Sequence, residues 1–276
     1  MSSFITMGGR RMKPVICIEM IYPGKKPEEK IERIKQAGFS WIEFWDWTDK
    51  NIDLLYSSCN QFNVKVANFS GQRHGCLIAS NTHHEIFFDL KHAIRTAKKL
   101  NCPYLMLLTD ELGEEGVVKY NHGDISTKEK YDNIISSLQK AISLTPDSIT
   151  LVLEILNTKI DHPGYCLDNM DTAVKIIREI NHPQLKILAD LYHLGVMEYN
   201  IKQIIKDYLP EIGYFHIADI PGRHEPGTGK IDWKEILELL KAERYNGFVG
   251  FEYSPAHDSD ESLLQIKNLW ESVFTE

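Results

Sequence analysis

Four successive apolar runs in the second half of the chain each end in one ionisable side chain. The residues are Glu154, Asp190, His216 and Glu252, which follow the runs LVL, ILA, YF and VGF. If these side chains meet, three carboxylates repel one another and lose hydration, which destabilises each buried charge strongly. A divalent cation relieves that repulsion, and three carboxylates with one imidazole suit Mg²⁺, Mn²⁺ or Zn²⁺. The four residues therefore predict a site for one divalent metal ion.

Each of the four residues also has a purely structural alternative. A carboxylate that follows a strand commonly caps the next helix, and a buried charge commonly pairs with a neighbouring one. Such a role explains any single residue well. Four consecutive runs that end in this way are harder to explain by capping or pairing, so the metal site is the preferred interpretation.

The elements that carry these residues alternate eight times between strand and helix. The predicted strands are 15–19, 41–44, 64–69, 104–108, 149–155, 185–189, 213–217 and 248–251. The predicted helices are 27–38, 51–61, 83–100, 127–144, 170–180, 201–209, 233–242 and 259–274. This alternation favours right-handed crossovers and a parallel sheet. Eight units in a chain of this length predict an α/β fold of the (β/α)8 TIM-barrel type, for which about 250 residues are typical.

An open, doubly wound sheet is the alternative fold. It would carry a glycine fingerprint after its first strand, but here that strand continues into EMIYPG. Residues 13–276 are interpreted as a single barrel domain because no linker divides them. Residues 1–12 are interpreted as a disordered leader, with Met12 as a candidate start. The carboxyl ends of barrel strands form the active site, so the four ionisable residues should lie in one arc at the barrel mouth.

Three further residues are predicted to bind substrate at this mouth. His193 lies three positions after Asp190, where it could reach a substrate oxygen, and Arg223 lies seven positions after His216. The forked donors of Arg223 suit a carboxylate or a hydroxyl. Arg73 lies with a histidine in the loop after the third strand and is a candidate for a lid. The structural alternatives are a histidine at a helix start and solvated loop arginines.

Two more glutamates, Glu19 and Glu43, end the first two predicted strands and could bind substrate or connect the loops. The segment Gly227–Lys230 superficially suggests a phosphate loop. It fails that test because no Lys-Ser/Thr pair follows a GxxxxG pattern. No GxSxG motif for a nucleophilic serine is present either.

Composition narrows the class of protein and of partner. The net charge of −8 argues against nucleic acid as the main partner. The five cysteines form no CxxC pair, which predicts neither a disulfide framework nor a cysteine zinc site and fits a reducing, cytoplasmic setting. No apolar run approaches the ~18 residues of a membrane span. We therefore expect a small-molecule substrate, no nucleic-acid partner and no membrane association, and the sequence leaves a homo-oligomer open.

The segment IADIPGRHEPGTG at 217–229 resembles the signature loop of the hydroxypyruvate isomerase family. That family belongs to the xylose isomerase-like TIM barrels, together with sugar epimerases and endonuclease IV. The segments LEILN at 153–157, HPGY at 162–165 and DLYH at 190–193 resemble the regions of its fifth and sixth strands. The resemblance extends from about Lys13 to the end of the chain, and the loop at 217–229 is its most specific part.

The resemblance implies that Glu154, Asp190, His216 and Glu252 hold one divalent metal ion, with Mg²⁺ or Mn²⁺ preferred and Zn²⁺ as an alternative. It also implies that Glu154 and Glu252 form the catalytic acid/base pair. The implied reaction is isomerisation of a small hydroxy-carbonyl compound through a cis-enediolate. The compound could be hydroxypyruvate with tartronate semialdehyde, a 2-oxo-tetronate or a ketose.

His216 leaves the substrate open, because hydroxypyruvate isomerases often have Gln at this position and sugar epimerases have His. A ketose 3-epimerase is therefore an alternative. A metal-dependent dehydratase on the same barrel and a non-catalytic sugar-binding barrel are further alternatives, and the presence of both Glu154 and Glu252 argues against the non-catalytic one. The endonuclease branch needs several zinc ions and a histidine-rich site. Only His216 clearly ends a predicted strand here, and the acidic net charge disfavours a DNA partner.

Overall fold

Eight parallel strands form the sheet at the centre of the molecule. The computed structural model describes residues 12–275. The strands are β1 (Lys13–Cys17), β2 (Trp41–Glu43), β3 (Lys65–Asn68), β4 (Tyr104–Leu107), β5 (Thr150–Glu154), β6 (Leu185–Asp190), β7 (Ile212–Ile217) and β8 (Phe248–Phe251). Their order in the sheet is β3-β2-β1-β8-β7-β6-β5-β4. Each neighbour in this order is also a neighbour in the chain, apart from the β1–β8 pair, which joins the two ends.

The gap between β3 and β4 is closed by residues that directly follow β3. Ser70 and Met106 form an isolated parallel bridge. The Met106 amide donates to the Phe69 carbonyl at 3.0 Å, and the Gly71 amide donates to the Met106 carbonyl at 2.6 Å. These bonds bring the two edges of the sheet together, and the predicted (β/α)8 barrel is confirmed.

Nine α-helices surround the strands within the described residues. They are α1 (Pro27–Gln36), α2 (Ile52–Phe62), α3 (His83–Leu100), α4 (Thr127–Leu144), α5 (Met170–Ile180), α6 (Leu191–Val196), α7 (Ile201–Tyr208), α8 (Trp233–Ala242) and α9 (Ser259–Phe274). Eight of them match the predicted helices, and most begin after an Asn, Ser or Asp whose side chain accepts a backbone N–H of the first turn. The helix α6 was not predicted, because six residues are too few to show a helical period.

Alternate residues of each strand point into the barrel or out toward the helices, so each strand contributes to two cores. The inner core consists of Val15, Ala67, Met106, Val152, Leu188, Tyr214 and Phe248. The larger outer core lies between the strands and the helices. The inner core fills the barrel below its mouth, and it therefore leaves only the carboxyl ends of the strands free for a site.

The beginning of the described chain is part of the fold. Met12 is buried and packs in the outer core. Residues 1–11 of the predicted leader lie outside the described residues. The predicted first strand, 15–19, lies two residues too far along the chain, because pairing with β8 begins at Lys13. Across residues 12–275, none of the helices has both the length and the apolar character needed to cross a membrane.

Candidate metal centre and active site

The structure brings the four predicted ligands together at the ends of β5 to β8. Glu154, Asp190, His216 and Glu252 are all buried, and one ligand atom from each lies within 4.8 Å of the others. The strand register explains this arrangement, since Asp190 pairs with His216 and His216 pairs with Gly250, two residues before Glu252. The barrel therefore converts four distant sequence positions into one buried cluster that could hold a metal ion.

The donor atoms of this cluster fit a divalent ion. His216 Nδ1 lies 3.4 Å from Glu154 Oε1 and 3.2 Å from Glu252 Oε2. This nitrogen is buried and has no aligned hydrogen-bond partner among residues 12–275. Metal–ligand bonds of about 2.1 Å separate neighbouring ligand atoms by roughly 3 to 4 Å, in agreement with these distances. A buried nitrogen among carboxylates, with no hydrogen bond of its own, is typical of a ligand whose partner is an ion.

Asp190 caps a helix and keeps its second oxygen available to the cluster. Its Oδ1 caps α6 by accepting the Tyr192 amide at 2.8 Å and the His193 amide at 3.3 Å. Its Oδ2 remains directed into the cluster, 3.2 Å from Arg223 Nη2. Capping and metal binding are therefore compatible here, because they use different oxygens of one carboxylate.

Glu252 is held by two donors from outside β8. Arg223 Nη2 donates to Glu252 Oε2 at 2.5 Å, and Trp45 Nε1 donates to Glu252 Oε1. The sequence reasoning did not identify Trp45. The available signal was its spacing from Glu43, because residues two positions apart on an extended segment face the same side.

Glu43 reaches His216 from the opposite side of the imidazole ring. Its Oε2 accepts the Tyr214 hydroxyl at 2.7 Å and lies 3.1 Å from His216 Nε2. Glu43 does not line the cavity described below, so it contacts the histidine rather than a substrate. Glu19 does connect loops, since its Oε1 accepts the Trp45 amide at 2.9 Å and lies 2.7 Å from Lys50 Nζ.

A cavity of about 390 Å³ opens above the cluster. Glu154 and Glu252 line it, and so do all three predicted substrate-binding residues, His193, Arg223 and Arg73. A cavity of this size accommodates a small ligand in contact with both glutamates. The structure thus brings every predicted site residue to one place.

Hydrogen bonds and close contacts within and beside the loop at 217–229 position Arg223. Asp219 accepts the Gly227 amide at 2.8 Å and the Ile231 amide at 3.2 Å. A Cβ on Gly229 would lie 2.2 Å from the Ile220 carbonyl oxygen, so only glycine allows this close approach. Arg223 itself has a φ of 54°, an unusual value for a residue with a side chain. The loop therefore holds Arg223 in one position over Asp190 and Glu252.

His193 is a buried imidazole whose tautomer is set by Asn157. The Asn157 side-chain oxygen accepts two backbone amides, at Ile160 and Asp161, so its Nδ2 is the atom that donates to His193 Nδ1 at 2.6 Å. The proton of the ring is therefore assigned to Nε2. Burial, together with the charge of Arg223, lowers the pKa of His193 well below its ordinary value. The sequence reasoning missed the role of Asn157.

A short antiparallel flap forms one wall of the cavity. Leu112 and Val118 pair at its base, and Gly116 at its tip accepts a hydrogen bond from His162 Nδ1 at 2.7 Å. Gly116 and His162 both line the cavity. This flap is part of the connection between β4 and α4, and it lines the same cavity as the two glutamates.

A family model described as "Xylose isomerase-like TIM barrel" matches residues 31–269. The chain belongs to that family. This xylose isomerase-like barrel is 32% identical over 185 residues to a human protein named "Putative hydroxypyruvate isomerase". That match covers 66% of this chain and 65% of the human protein, slightly less than two thirds of each. The present chain is also 27% identical over 247 residues to the hydroxypyruvate isomerase of Escherichia coli, and this match covers 85% of the present chain and 90% of the E. coli protein.

The fold of this xylose isomerase-like barrel is also found among solved structures. A family 2 AP endonuclease from Brucella melitensis superimposes with a TM-score of 0.84 at 23% identity, covering 96% of this chain and 100% of the other. At this identity the similarity supports the fold alone. The family match and the named relatives confirm the resemblance that was recognised from the loop at 217–229.

The ionisable groups in the site of this xylose isomerase-like barrel have pKa values that are shifted in different directions. Burial raises the pKa of Glu154 to about 7, against the opposing effect of His216. Burial would also raise the pKa of Glu252, but Arg223 and His216 outweigh it and hold that pKa well below its ordinary range. Burial lowers the pKa of His216, but Glu43 and Glu252 outweigh it and raise that pKa well above its ordinary value.

These shifts predict that metal uptake releases protons. Metal ligands bind in their deprotonated forms, whereas the metal-free protein holds protons on His216 and, below pH about 7, on Glu154. The metal dissociation constant should therefore decrease as the pH is raised through about 7. Titration with Mn²⁺ at several pH values, in buffers of different ionisation enthalpy, measures both the affinity and the protons released. An affinity that is constant across this range would contradict the prediction.

Proposed function

We propose that this chain is a metal-dependent isomerase of a small hydroxy-carbonyl compound. The observation that supports it most strongly is that the four-residue cluster opens, through Glu154 and Glu252, into the cavity of about 390 Å³. Candidate substrates are hydroxypyruvate with tartronate semialdehyde, a 2-oxo-tetronate and a ketose. The names of the human and E. coli relatives favour the first of these.

The ion of this proposal is Mg²⁺ or Mn²⁺, with Zn²⁺ as the alternative. Three carboxylate groups favour the hard cations, and a single imidazole is compatible with all three ions. Glu154, Asp190, His216 and Glu252 would hold the ion. When bound, it would supply a Lewis acid that polarises the carbonyl and hydroxyl oxygens of the substrate.

The two glutamates that line the cavity are the proposed catalytic residues. One carboxylate would remove the proton from the hydroxyl-bearing carbon next to the carbonyl group, giving a cis-enediolate. A carboxyl group would then return a proton to the former carbonyl carbon, while the hydroxyl proton passes to the former carbonyl oxygen. Glu252 is fixed by Trp45 and Arg223, so its orientation toward the cavity is set before a substrate enters. Such fixed orientation reduces the reorganisation that the reaction requires.

The remaining cavity residues have roles in binding. His193 would donate its Nε2 proton to a substrate oxygen. Arg223 and Arg73 add positive charge to the cavity, which suits a substrate with a carboxylate. Arg73 is fixed by Asp46, whose Oδ2 lies 2.9 Å from Arg73 Nε, so its two terminal nitrogens can bind a ligand. The flap at 112–118 would exclude water from the reacting carbon.

This proposal also includes the expected partners and location. The net charge of −8 supports a small-molecule substrate rather than a nucleic acid. A cytoplasmic location follows from the cysteine pattern and stays a prediction, as does the absence of a membrane partner. A homo-oligomer, which the sequence leaves open, is tested by the mass of the protein in solution.

Solvent deuterium uptake tests the proposal directly. The protein is incubated in D₂O with Mg²⁺ or Mn²⁺ and, in turn, hydroxypyruvate, a 2-oxo-tetronate and free ketoses, and the products are followed by NMR. We expect deuterium at the carbon next to the carbonyl group, together with carbonyl migration, and loss of both after chelation. Full activity after exhaustive chelation would contradict the metal requirement.

The same measurement distinguishes the alternatives. Inversion at C3 of a ketose without carbonyl migration would identify an epimerase, and release of water from the substrate would identify a dehydratase. Tight metal and sugar binding with no deuterium uptake would identify a non-catalytic barrel. Each of these three outcomes would overturn the proposed isomerisation while retaining the metal site.

A further inference from the structure

Glu43 reaches the metal-centre histidine across the interior of the barrel. It lies at the end of β2, and in the sheet β1 and β8 separate β2 from the strand β7 that carries His216. Glu43 is 2% exposed, and its Oε2 lies 3.1 Å from His216 Nε2. The contact is therefore not a consequence of strand pairing, and it requires that the side chains between the two strands leave room.

Gly250 provides that room. It lies on β8, directly beside His216 in the strand register. A Cβ at this position would lie 2.3 Å from Glu43 Oε1 and 2.7 Å from His216 Cδ2. Any larger residue would separate the carboxylate from the ring, so the glycine and the Glu43–His216 contact depend on each other.

The hydrogen bonds of Glu43 are concentrated on one oxygen. Tyr214 donates its hydroxyl to Oε2 at 2.7 Å, and His216 Nε2 faces the same oxygen. The other oxygen, Oε1, is buried without a hydrogen-bond partner in the described part of the chain. A buried carboxylate with one unpaired oxygen is destabilising. The position of the Glu43 carboxylate beside His216 is therefore better explained by a role in the site than by a contribution to stability.

We propose that Glu43 is a positioning residue, which keeps a proton on His216 Nε2 and thereby directs the lone pair of His216 Nδ1 toward Glu154 and Glu252. This inference rests on the proposed metal centre, because the lone pair needs an ion as its partner. A carboxylate that accepts the second ring proton of a ligating histidine fixes the tautomer and the ring orientation, and raises the basicity of the ligating nitrogen. Tyr214 acts on the same oxygen and holds the carboxylate in place.

The decisive variant is Glu43→Gln, which keeps the size of the side chain and removes its charge. We expect Mn²⁺ affinity to fall by about 10- to 100-fold, the usual effect of removing such an outer partner of a metal ligand. Glu211→Gln is the matched control, since Glu211 precedes β7 and pairs with Arg178 away from the cavity. Its Mn²⁺ affinity should equal that of the unchanged protein.

Gly250→Ala tests the same contact without altering Glu43 or His216. The added methyl group should displace the carboxylate from the ring and weaken Mn²⁺ binding, as Glu43→Gln does. Both variants together should weaken binding little more than either alone, because they disrupt one interaction. Fully additive losses would indicate two unrelated effects and would overturn the positioning role.

The tautomer provides a readout that does not depend on activity. In ¹⁵N-histidine-labelled protein with Zn²⁺ or Mg²⁺, the His216 signals, assigned by comparison with His216→Gln, should show a protonated Nε2 and an unprotonated Nδ1. The Nε2 proton should be shifted downfield in the metal-free protein as well, and this shift should decrease in Glu43→Gln. A merely structural role for Glu43 would leave these signals unchanged.

The outcomes separate this inference from the proposed function. Unchanged Mn²⁺ affinity and unchanged His216 signals in Glu43→Gln would overturn the positioning role while leaving the metal centre intact. Failure of the unchanged protein to bind any divalent ion would overturn the proposed function instead. In that case a metal-free spectrum without a hydrogen-bonded Nε2 proton would overturn the positioning role independently.

Discussion

Glu252→Gln is expected to reduce turnover by at least about 10²-fold and up to about 10⁴-fold, the range typical of a lost proton-transfer group. The amide cannot exchange a proton with carbon, and it also removes one negative charge from the metal cluster. The glutamine can still accept a hydrogen bond from Trp45 or Arg223 through its oxygen. The fold should therefore persist, and turnover is measured with the substrate that shows deuterium uptake.

Two comparisons make this result specific. Trp45→Phe removes the indole donor to Glu252 but keeps the carboxylate, so we expect a smaller loss of turnover. Circular dichroism and the thermal midpoint should show that Glu252→Gln remains folded. Unchanged turnover in a folded, metal-loaded Glu252→Gln variant would exclude a catalytic role for this residue.

The sequence was sufficient to predict the fold and the residues of the cluster. Apolar runs such as ILA before Asp190 and YF before His216 mark buried parallel strands, and a single polar residue at the end of each run has to lie at the mouth. The periodicity of the helices predicted the alternation of elements. These signals are local to each strand. The four side chains meet in one arc because the strands of the barrel are parallel and their carboxyl ends lie at the same rim.

The individual contacts within the site could not be predicted from the sequence. The approach of Glu43 to His216 depends on barrel closure and on the space above Gly250, and neither property appears in a pattern of residues along one strand. Similarly, the division of the Asp190 oxygens between α6 and the cluster depends on a six-residue helix too short to recognise. The sequence gives residue types and ends of strands, whereas the structure determines which atom faces which.

The cations around the cluster explain how a metal-free barrel could keep three buried carboxylates. Arg223 lies 3.2 Å from Asp190 Oδ2 and 2.5 Å from Glu252 Oε2, so one guanidinium compensates two acids. His216, whose pKa is raised well above its ordinary value, adds a second positive charge beside Glu154 and Glu252. A divalent ion would bind among the same carboxylates, and so Arg223 and the ion should partly replace each other in stabilising the site.

Arg223→Met should therefore reduce the free energy of unfolding of the metal-free protein by about 3–5 kcal/mol near neutral pH, the usual cost of removing one partner from a buried ion pair. Arg223 depresses the pKa of Glu252 in the folded state, so its contribution is present above the unfolded pKa of about 4.3 and is lost as the pH falls below it. The loss caused by the substitution should accordingly diminish at acidic pH. Urea titrations with chelator, repeated with saturating Mg²⁺ or Mn²⁺, measure these differences.

The matched control is Arg33→Met, which removes one partner of the Arg33–Asp260 ion pair, in which both side chains are exposed. An exposed ion pair contributes about 0–1 kcal/mol, so this variant should lose little stability in either condition. Added metal should restore more stability to Arg223→Met than it adds to the unchanged protein, because the ion takes over the charge that the arginine supplied. If the two arginine variants lose equally little, or if metal does not reduce the loss in Arg223→Met, then Arg223 does not compensate the cluster, and another group must keep its carboxylates together.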